Sequence, residues 1–170
     1  MKVVKYAGAV LWSILASTSV FAASPQTIGW IEHVGIQSQN LVMKAKIDTG
    51  ADNSSVHAED ISIFESDGTN MVKFTLRNKQ GDAITMEKPL LRYALIKRKG
   101  AESLRRPVVE MDLCVGNAIQ TVPVNLANRA NFAYRMLVGR SYLKHGYVVD
   151  ANSKYTSEPN CNAKPMASRS

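Results

Sequence analysis

Hydrophobic and polar residues alternate along several segments of the chain. Between positions 72 and 77, valine, phenylalanine and leucine alternate with lysine, threonine and arginine. Leu41–Ile47 shows the same pattern, with two lysines on its polar side. A repeat of two residues is typical of a strand that buries one face. Both segments are therefore predicted to form half-buried strands.

Further apolar segments end at turn residues and predict additional strands. They span residues 28–34, 61–64, 90–96, 107–115 and 119–126. Gly81-Asp82 and Gly116-Asn117 predict turns between neighbouring strands. Only residues 140–145 show a helical pattern. Strands spaced about ten residues apart predict an all-β fold, namely a small closed β-barrel or sandwich with one short C-terminal helix.

Residues 1–22 have the three-part composition of a secretory signal peptide. Lys2 and Lys5 form a basic start, residues 7–16 are mostly apolar, and small residues precede a cleavage site before Ala23. This pattern predicts export, so the mature protein is expected to be periplasmic or secreted. The alternative is a short amphipathic anchor that stays on the chain.

The rest of the chain divides into one domain and a tail. Residues 23–151 have the length of a single domain, and the Ser-, Asn-, Pro- and Lys-rich residues 152–170 predict a flexible tail. Apolar residues make up 45% of the chain, which is enough for a core, whereas aromatic residues make up only 7%. Few aromatic side chains argue against nucleic-acid stacking, and no apolar run is long enough to span a membrane. We therefore expect neither a nucleic-acid partner nor a membrane span.

The charge and the two cysteines both bear on the exported form. The formal net charge of +7 falls to +5 when the leader takes Lys2 and Lys5 with it. Cys114 and Cys161 are the only cysteines, and an oxidising compartment would allow them to pair. Such a disulfide would stabilise the fold by about 4 kcal/mol in the chain-entropy model. The alternative is a buried thiol at Cys114 and an exposed one in the tail.

The segment Asp48-Thr49-Gly50 carries the most specific chemistry. A carboxylate follows an apolar strand, and the threonine and glycine after it suit a tight, braced loop that lets backbone approach a ligand. If a second carboxylate faced Asp48, the two could not both ionise and would share one proton. One would then act as a base on water while the other donated to a carbonyl. Alone, this motif also fits an ordinary turn that closes a strand.

A second motif raises the specificity of the first. The apolar run 136–138 ends at Gly139-Arg140, directly before the predicted helix. Together with Asp-Thr-Gly-Ala early in the domain, this run resembles the retropepsin-like aspartic proteases, small β proteins in which a dimer supplies two catalytic aspartates. The resemblance implies that Asp48, Thr49 and Gly50 form the catalytic loop. It also implies that Ala51 and Gly139 support that loop and that Arg140 pairs with Asp52.

Several motifs in order resemble one bacterial branch of that family, commonly labelled ATP-dependent zinc protease. They lie at residues 29–32, 45–51, 54–58, 64–68, 106–109 and 136–140. The resemblance covers roughly residues 27 to 150. One departure is Asp52-Asn53, where the branch usually has Arg-Thr, and this leaves the branch-specific role of that position open.

Neither ATP nor zinc is expected from the residues themselves. The chain lacks the Gly-x-x-x-x-Gly-Lys-Ser/Thr phosphate loop, and an ATP-dependent step suits an exported protein poorly. Catalytic zinc needs three convergent ligands, whereas His33, His57 and His145 lie far apart in sequence. We therefore predict an enzyme without a cofactor or metal.

Two further features are candidates for substrate binding. His57 follows the catalytic motif closely and either contacts substrate or is simply hydrogen-bonded to backbone. The basic segment 97–106 is predicted to be a loop between two strands, where the resemblance implies a flap over the cleft. Lys97, Arg98 and Lys99 would then attract acidic peptides, and Gly100 would give the tip of the flap freedom to move. The alternative is an ordinary solvated loop.

These observations support three hypotheses about function. The first is an exported aspartic-type endopeptidase, a homodimer that activates water between two Asp48 carboxylates and cleaves peptides or proteins. The second is a non-catalytic peptide-binding or adaptor module of the cell envelope with the same fold. The third is a basic envelope-binding protein that acts through its charge. The intact motifs favour the first.

Overall fold

The computed structural model describes residues 24–36, 41–98 and 100–160, without the side chains of residues 97, 98 and 101. Its elements are β1 (Gln26–Ile36), β2 (Leu41–Ile47), β3 (Ser54–Ser66), β4 (Thr69–Arg77), β5 (Ala83–Pro89), β6 (Arg92–Arg98), β7 (Ala101–Val115), β8 (Ala118–Ala127), β9 (Met136–Val138), α1 (Arg140–Leu143) and β10 (Tyr147–Lys154). The prediction of an all-β fold with one short helix is confirmed.

Six strands close into a ring of hydrogen bonds. The ring runs β1–β2–β9–β3–β8–β7, and β7 returns to β1 through the pairs Gly35–Cys114 and Ile36–Leu113. β9 is parallel to β2 and antiparallel to β3, so this short strand lies between the strands on either side of Asp48. β10 pairs with β1, β6 pairs with β7, and the β4–β5 hairpin extends from β3.

Alternation along the strands places the core inside this ring. In β2 every odd-numbered residue from Leu41 to Ile47 is buried, while the residues between them are exposed. Phe74 and Leu76 of β4 are fully buried in the same core. Burying a side chain of this size stabilises the fold by roughly 2–3 kcal/mol. A strand turned the other way would expose these side chains to water, so the two-residue pattern determines which face points towards the core.

Tyr142 ties α1 to the hairpin of β7 and β8. Its side chain is fully buried, and its hydroxyl accepts the Val115 N–H (3.0 Å) and donates to the Ala118 carbonyl (2.8 Å). The Tyr147 hydroxyl lies 3.2 Å away. Burial raises the pKa of both Tyr142 and Tyr147 above the ordinary value, because the charged phenolate would be desolvated.

The prediction of a basic loop at residues 97–106 was wrong. β6 and β7 pair almost to the tip of a long hairpin, which turns at Gly100 with φ +75°. Arg105 stacks over the Tyr93 ring at 4.3 Å across the strands, so basic residues are accommodated within the pairing. Residue Lys99 and the side chains of Lys97 and Arg98 lie outside the described part of the structure.

The chain after β10 returns along β1. β10 continues to Lys154, beyond the expected start of the tail, because β1 offers it a parallel partner. Tyr155 donates its N–H to Ile31, and the fully buried carboxylate of Glu32 accepts both the N–H and the hydroxyl of Thr156. Residues 155–160, which we call the strap, therefore pack on the domain.

Three sequence-based predictions concern residues that the structure does not describe. The signal peptide, the tail beyond residue 160 and the pairing of Cys114 with Cys161 stay predictions. Cys114 is fully buried on β7. In the described part of the chain, no helix has the length and apolarity needed to cross a membrane.

Candidate active site

Asp48 lies at the point where β2 leaves the sheet. Its backbone N–H donates to Val138 (2.9 Å), which extends the parallel pairing of β2 with β9. The side-chain Oδ1 accepts the N–H of Gly50 at 3.0 Å. Oδ2 lies 3.9 Å from the Lys46 ammonium, and the side chain is 27% exposed. Asp48 is thus a positioned carboxylate with one oxygen held by its own loop.

Residues 48–53 connect β2 to β3, and we call them the Asp48 loop. The turn from β9 into α1 packs directly behind this loop. Ala51 accepts the N–H of Arg140 and Asp52 accepts the N–H of Ser141, both at 2.8 Å. Gly139 donates its N–H to the Ser54 hydroxyl at 3.2 Å. These three bonds join the turn to the part of the loop that follows Gly50 and to the start of β3.

Gly139 is required by the close approach of two backbones. A Cβ at this position would lie 2.7 Å from the carbonyl carbon and oxygen of Asn53 and 2.9 Å from the Ala51 oxygen. These atoms are main chain, so a side chain could not be accommodated without moving the loop. The apolar-Gly motif therefore has a direct structural cause.

Arg140 bridges the two ends of the loop. Its Nη1 donates to the Thr49 carbonyl at 2.9 Å, and its Nη2 contacts the Asp52 carboxylate. Both side chains of the ion pair are substantially exposed, so the pair itself is worth about 0–1 kcal/mol. Its main effect is geometric, because one guanidinium fixes the residues that flank Gly50 and Ala51.

His57 is held by structural contacts. It is 6% exposed, its Nδ1 accepts the N–H of Arg129 at 2.9 Å, and its Nε2 lies 3.5 Å from the Glu59 carboxylate. Because Nδ1 accepts a hydrogen bond, we assign the ring proton to Nε2. Glu59 also pairs with Arg77 and Arg135. His57 therefore anchors the segment after β8.

That segment brings in a residue that sequence reasoning missed. Burial and the positive charge of Arg106 lower the pKa of Arg129, whereas the negative charge of Asp48 opposes this effect. Arg129 is thus within electrostatic reach of both groups. Its Nε donates to the backbone carbonyl of Tyr134, and its guanidinium lies 4.5 Å from the Phe132 ring centre. The available signal was a segment between two strands that combines arginines with aromatic residues.

The root of the β6–β7 hairpin also reaches the Asp48 loop. Arg92 donates to the side-chain oxygen of Asn53 at 3.4 Å. Leu91, directly before the edge strand β6, and Tyr93 and Leu95 on it occupy alternate positions and are 49%, 37% and 66% exposed. The hairpin therefore starts beside the candidate site and presents a partly apolar face to solvent.

The described residues do not fit a catalytic zinc centre. In residues 24–36, 41–98 and 100–160, no group of three or more His, Cys, Asp and Glu side chains could hold a metal ion. His33 pairs with Glu158 and His57 with Glu59, so two of the three histidines are engaged elsewhere.

Comparisons with known proteins identify a family and a similar solved structure. The sequence profile of a family described as retropepsin-like aspartic endopeptidase RimB matches residues 27–160. Among solved structures, the crystal structure of protein Lpg0085 of unknown function from Legionella pneumophila is similar with a TM-score of 0.68 and 32% identity. The match covers 78% of this chain and 98% of that one.

Curated relatives carry a different description. A probable alpha-L-glutamate ligase of Desulfotalea psychrophila is 30% identical over 111 residues, which are 64% of this chain and 24% of that protein. A probable alpha-L-glutamate ligase of Shewanella pealeana is 31% identical over 116 residues, 66% of this chain and 25% of that protein. The chain therefore spans about a quarter of the length of these relatives.

Proposed function

Because the chain belongs to the family of the retropepsin-like aspartic endopeptidase RimB, we propose that it hydrolyses peptide bonds as an aspartic-type endopeptidase. The observation that supports this most directly is the position of Asp48. Its Oδ1 is held by the Gly50 N–H, while the side chain stays partly exposed at the end of β2. A carboxylate in this position can accept a proton from water.

The proposed mechanism needs a second carboxylate, which a second copy of the chain would supply. In a homodimer the two Asp48 side chains would face each other across a two-fold axis and share one proton. The ionised carboxylate would take a proton from water as the water attacks the peptide carbonyl. The protonated carboxyl would donate to the carbonyl oxygen, and no covalent intermediate would form.

Acidic peptides are the proposed substrates. Lys46 and Arg129 place positive charge around Asp48, as the 3.9 Å contact of Lys46 and the electrostatic coupling of Arg129 indicate. The curated relatives are named for alpha-L-glutamate, an amino acid with a carboxylate side chain. Cationic side chains beside the cleft would speed the capture of such peptides, with Lys97, Arg98 and Lys99 adding to the field if the hairpin closes as a flap.

The place of action is proposed from the N-terminal sequence. Residues 1–22 have the pattern of a cleavable signal peptide, so we propose that the enzyme works in the periplasm or outside the cell. Secretion of the full chain with loss of its first 22 residues, measured by mass spectrometry of the exported protein, would test this. Retention of an intact N-terminus in the cytoplasm would contradict it.

A non-catalytic role is the second candidate. The matching segment forms only a quarter of relatives that are named for ligation, so in those proteins it is one part of a larger chain. Such a part could bind a peptide without cleaving it. Under this alternative an ionisable Asp48 would be unnecessary.

Turnover by the Asp48→Asn variant separates the two candidates. The amide has nearly the same size but cannot accept the proton, so peptide cleavage should fall by at least roughly a thousandfold across a pH series. Asp67→Asn is the matched control, because Asp67 lies in the exposed β3–β4 turn at φ +48°, a conformation that asparagine tolerates. A loss of only a third of the activity in Asp48→Asn would remove Asp48 from the catalytic role.

A further inference from the structure

A recess opens beside β2, the strand that leads to Asp48. We name it the β2 cavity. It has a volume of about 470 Å³, within the range of small-ligand sites. Its ionisable lining residues are His33, Lys44, Lys79, Asp82, Arg135 and Glu158.

The two carboxylates in this wall already have partners. Both oxygens of Glu158 contact the His33 ring at 2.9–3.0 Å. Asp82 accepts the side-chain N–H of Asn78 at 2.8 Å. Asn78, which is nearly buried, also receives the Asp82 N–H, so Asp82 is fixed in the wall of the cavity.

The cationic side chains of the cavity have fewer carboxylate partners. Lys44 lies 5.0 Å from the centre of the Tyr155 ring, and this phenol raises the lysine pKa, which keeps the lysine charged. Arg135 lies 3.8 Å from Glu59, a carboxylate that it shares with Arg77 and His57. Among the described residues, neither Lys44 nor Lys79 forms an ion pair. Three cations, namely Lys44, Lys79 and Arg135, stand against the carboxylates of Asp82 and Glu158, so the wall has a formal excess of one positive charge with His33 neutral.

The cavity is aligned with the candidate active site. Val42, Lys44 and Lys46 are exposed at alternate positions on one face of β2, and Asp48 follows at the next alternate position, directly after the strand. Lys46 contacts Asp48 at 3.9 Å, which shows that this face continues to the carboxylate. Four residues of strand span about 13 Å, which is also the reach of about four residues of an extended peptide.

We propose that the β2 cavity is an anion-binding subsite that takes a carboxylate of the peptide about four residues from the bond facing Asp48. The position of this subsite relative to cleavage rests on the proposed function. Lys44 and Lys79 supply the charge, and Lys46 continues the positive potential towards Asp48. The subsite would select longer acidic peptides over short ones, because only a longer peptide can reach the β2 cavity and Asp48 at the same time.

Binding to the Asp48→Asn protein tests the subsite without relying on turnover. Two fluorescent decapeptides would be compared, identical except for Glu or Gln at the positions four residues on either side of the central bond. The Glu peptide should bind roughly tenfold more tightly, since two desolvated charge contacts can contribute that much. The double variant Lys44→Gln/Lys79→Gln should bind both peptides equally.

A second pair of lysines provides the matched control. Lys73 and Lys88 lie on the β4–β5 hairpin, away from the turn that lines the cavity, and their replacement by glutamine changes the net charge by the same amount. This control should keep the tenfold preference. Equal affinities in the parent protein, or an equal loss in both double variants, would overturn the proposal. A preserved preference without cleavage by the unmodified protein would instead reject the peptidase and leave the subsite standing.

Discussion

The α-carbon of Gly139 packs against the carbonyl group of Asn53, so closely that a methyl group on Gly139 would lie 2.7 Å from it. The contact joins the β9–α1 turn to the far side of the Asp48 loop. Gly50, in the loop itself, has a different neighbour, because a methyl group there would lie 3.2 Å from Asp48 Oδ1. The two glycines therefore serve different purposes, one in the backbone packing and the other beside the carboxylate.

Replacing each glycine by alanine should separate stability from activity. Gly139→Ala should lower the free energy of unfolding by about 1–3 kcal/mol, because two main-chain segments must move apart. Gly50→Ala should leave the unfolding midpoint nearly unchanged and lower kcat/KM roughly tenfold to a hundredfold, because the carboxylate shifts. Denaturant unfolding and peptide kinetics on the same samples measure both. A stable, fully active Gly139→Ala protein would contradict the packing argument.

Activity should depend on association of two chains. The mechanism needs two carboxylates and each chain supplies one Asp48, so activity per chain should fall when the protein is diluted below its dimer dissociation constant. Sedimentation across the same concentrations reports the dimer. Mixing in an equal amount of Asp48→Asn chains should reduce the activity of the unmodified chains to about half if pairing is random. A monomer that retains full activity would rule out the shared dyad.

High pH should destabilise the fold through Tyr142 and Tyr147. Burial raises the pKa of both phenols above their ordinary value of 10.0. Their neutral forms therefore contribute stability that is complete below about pH 10 and is lost as the pH rises towards the folded-state pKa values. Thermal unfolding followed from pH 7 to pH 11 should show a falling midpoint above pH 10.

Tyr142→Phe tests the hydrogen bonds of the same residue at neutral pH. The variant leaves the buried Val115 N–H and Ala118 carbonyl without this hydroxyl, which should cost about 1–3 kcal/mol of unfolding free energy. Tyr93→Phe is the control, since Tyr93 is 37% exposed on β6 and should change stability by less than about 0.5 kcal/mol. A loss as small in Tyr142→Phe as in the control would mean that the hydrogen bonds of the Tyr142 hydroxyl contribute little to stability.

Neither a chelator nor ATP should change the rate of peptide cleavage. The described residues do not gather a zinc site, and the sequence has no phosphate loop. The measurement is kcat/KM before and after EDTA treatment, with and without added ATP. Inactivation by the chelator followed by recovery with zinc would show that the enzyme needs the metal and would contradict this prediction.

The sequence was most informative where one strand face is buried. The bounds of β2 were predicted correctly because buried and exposed residues alternate without interruption from Leu41 to Ile47. The family resemblance, inferred from Asp-Thr-Gly-Ala and the later Gly-Arg, is confirmed by the match across residues 27–160. β5 was missed because its residues are only half-buried or exposed, and its pairing with β4 is what makes it a strand.

Features that depend on contacts between distant parts of the chain could not be predicted from the pattern of hydrophobic and polar residues. Arg129 comes near Asp48 only because β8 and β9 are neighbours of β3 in the ring. Strands were predicted on both sides of residues 97–106, but this outer part of the β6–β7 hairpin was mistaken for a loop because basic residues interrupt the apolar pattern. The roles of the site residues, the dimer and the export of the chain stay predictions.

Pairing of the first and last strands governs when the domain can form. Gln26 lies opposite Tyr147 in the parallel β1–β10 pair, and the strap then returns to Glu32. Contacts between such distant segments slow folding, because the long intervening chain must be closed before they form. A ribosome-bound chain that lacks residues 147–156 cannot complete this edge of the sheet. The nascent domain would therefore stay incompletely folded until residues 147–156 have left the ribosome, because only then can β1 gain its parallel neighbour and Glu32 its partner Thr156.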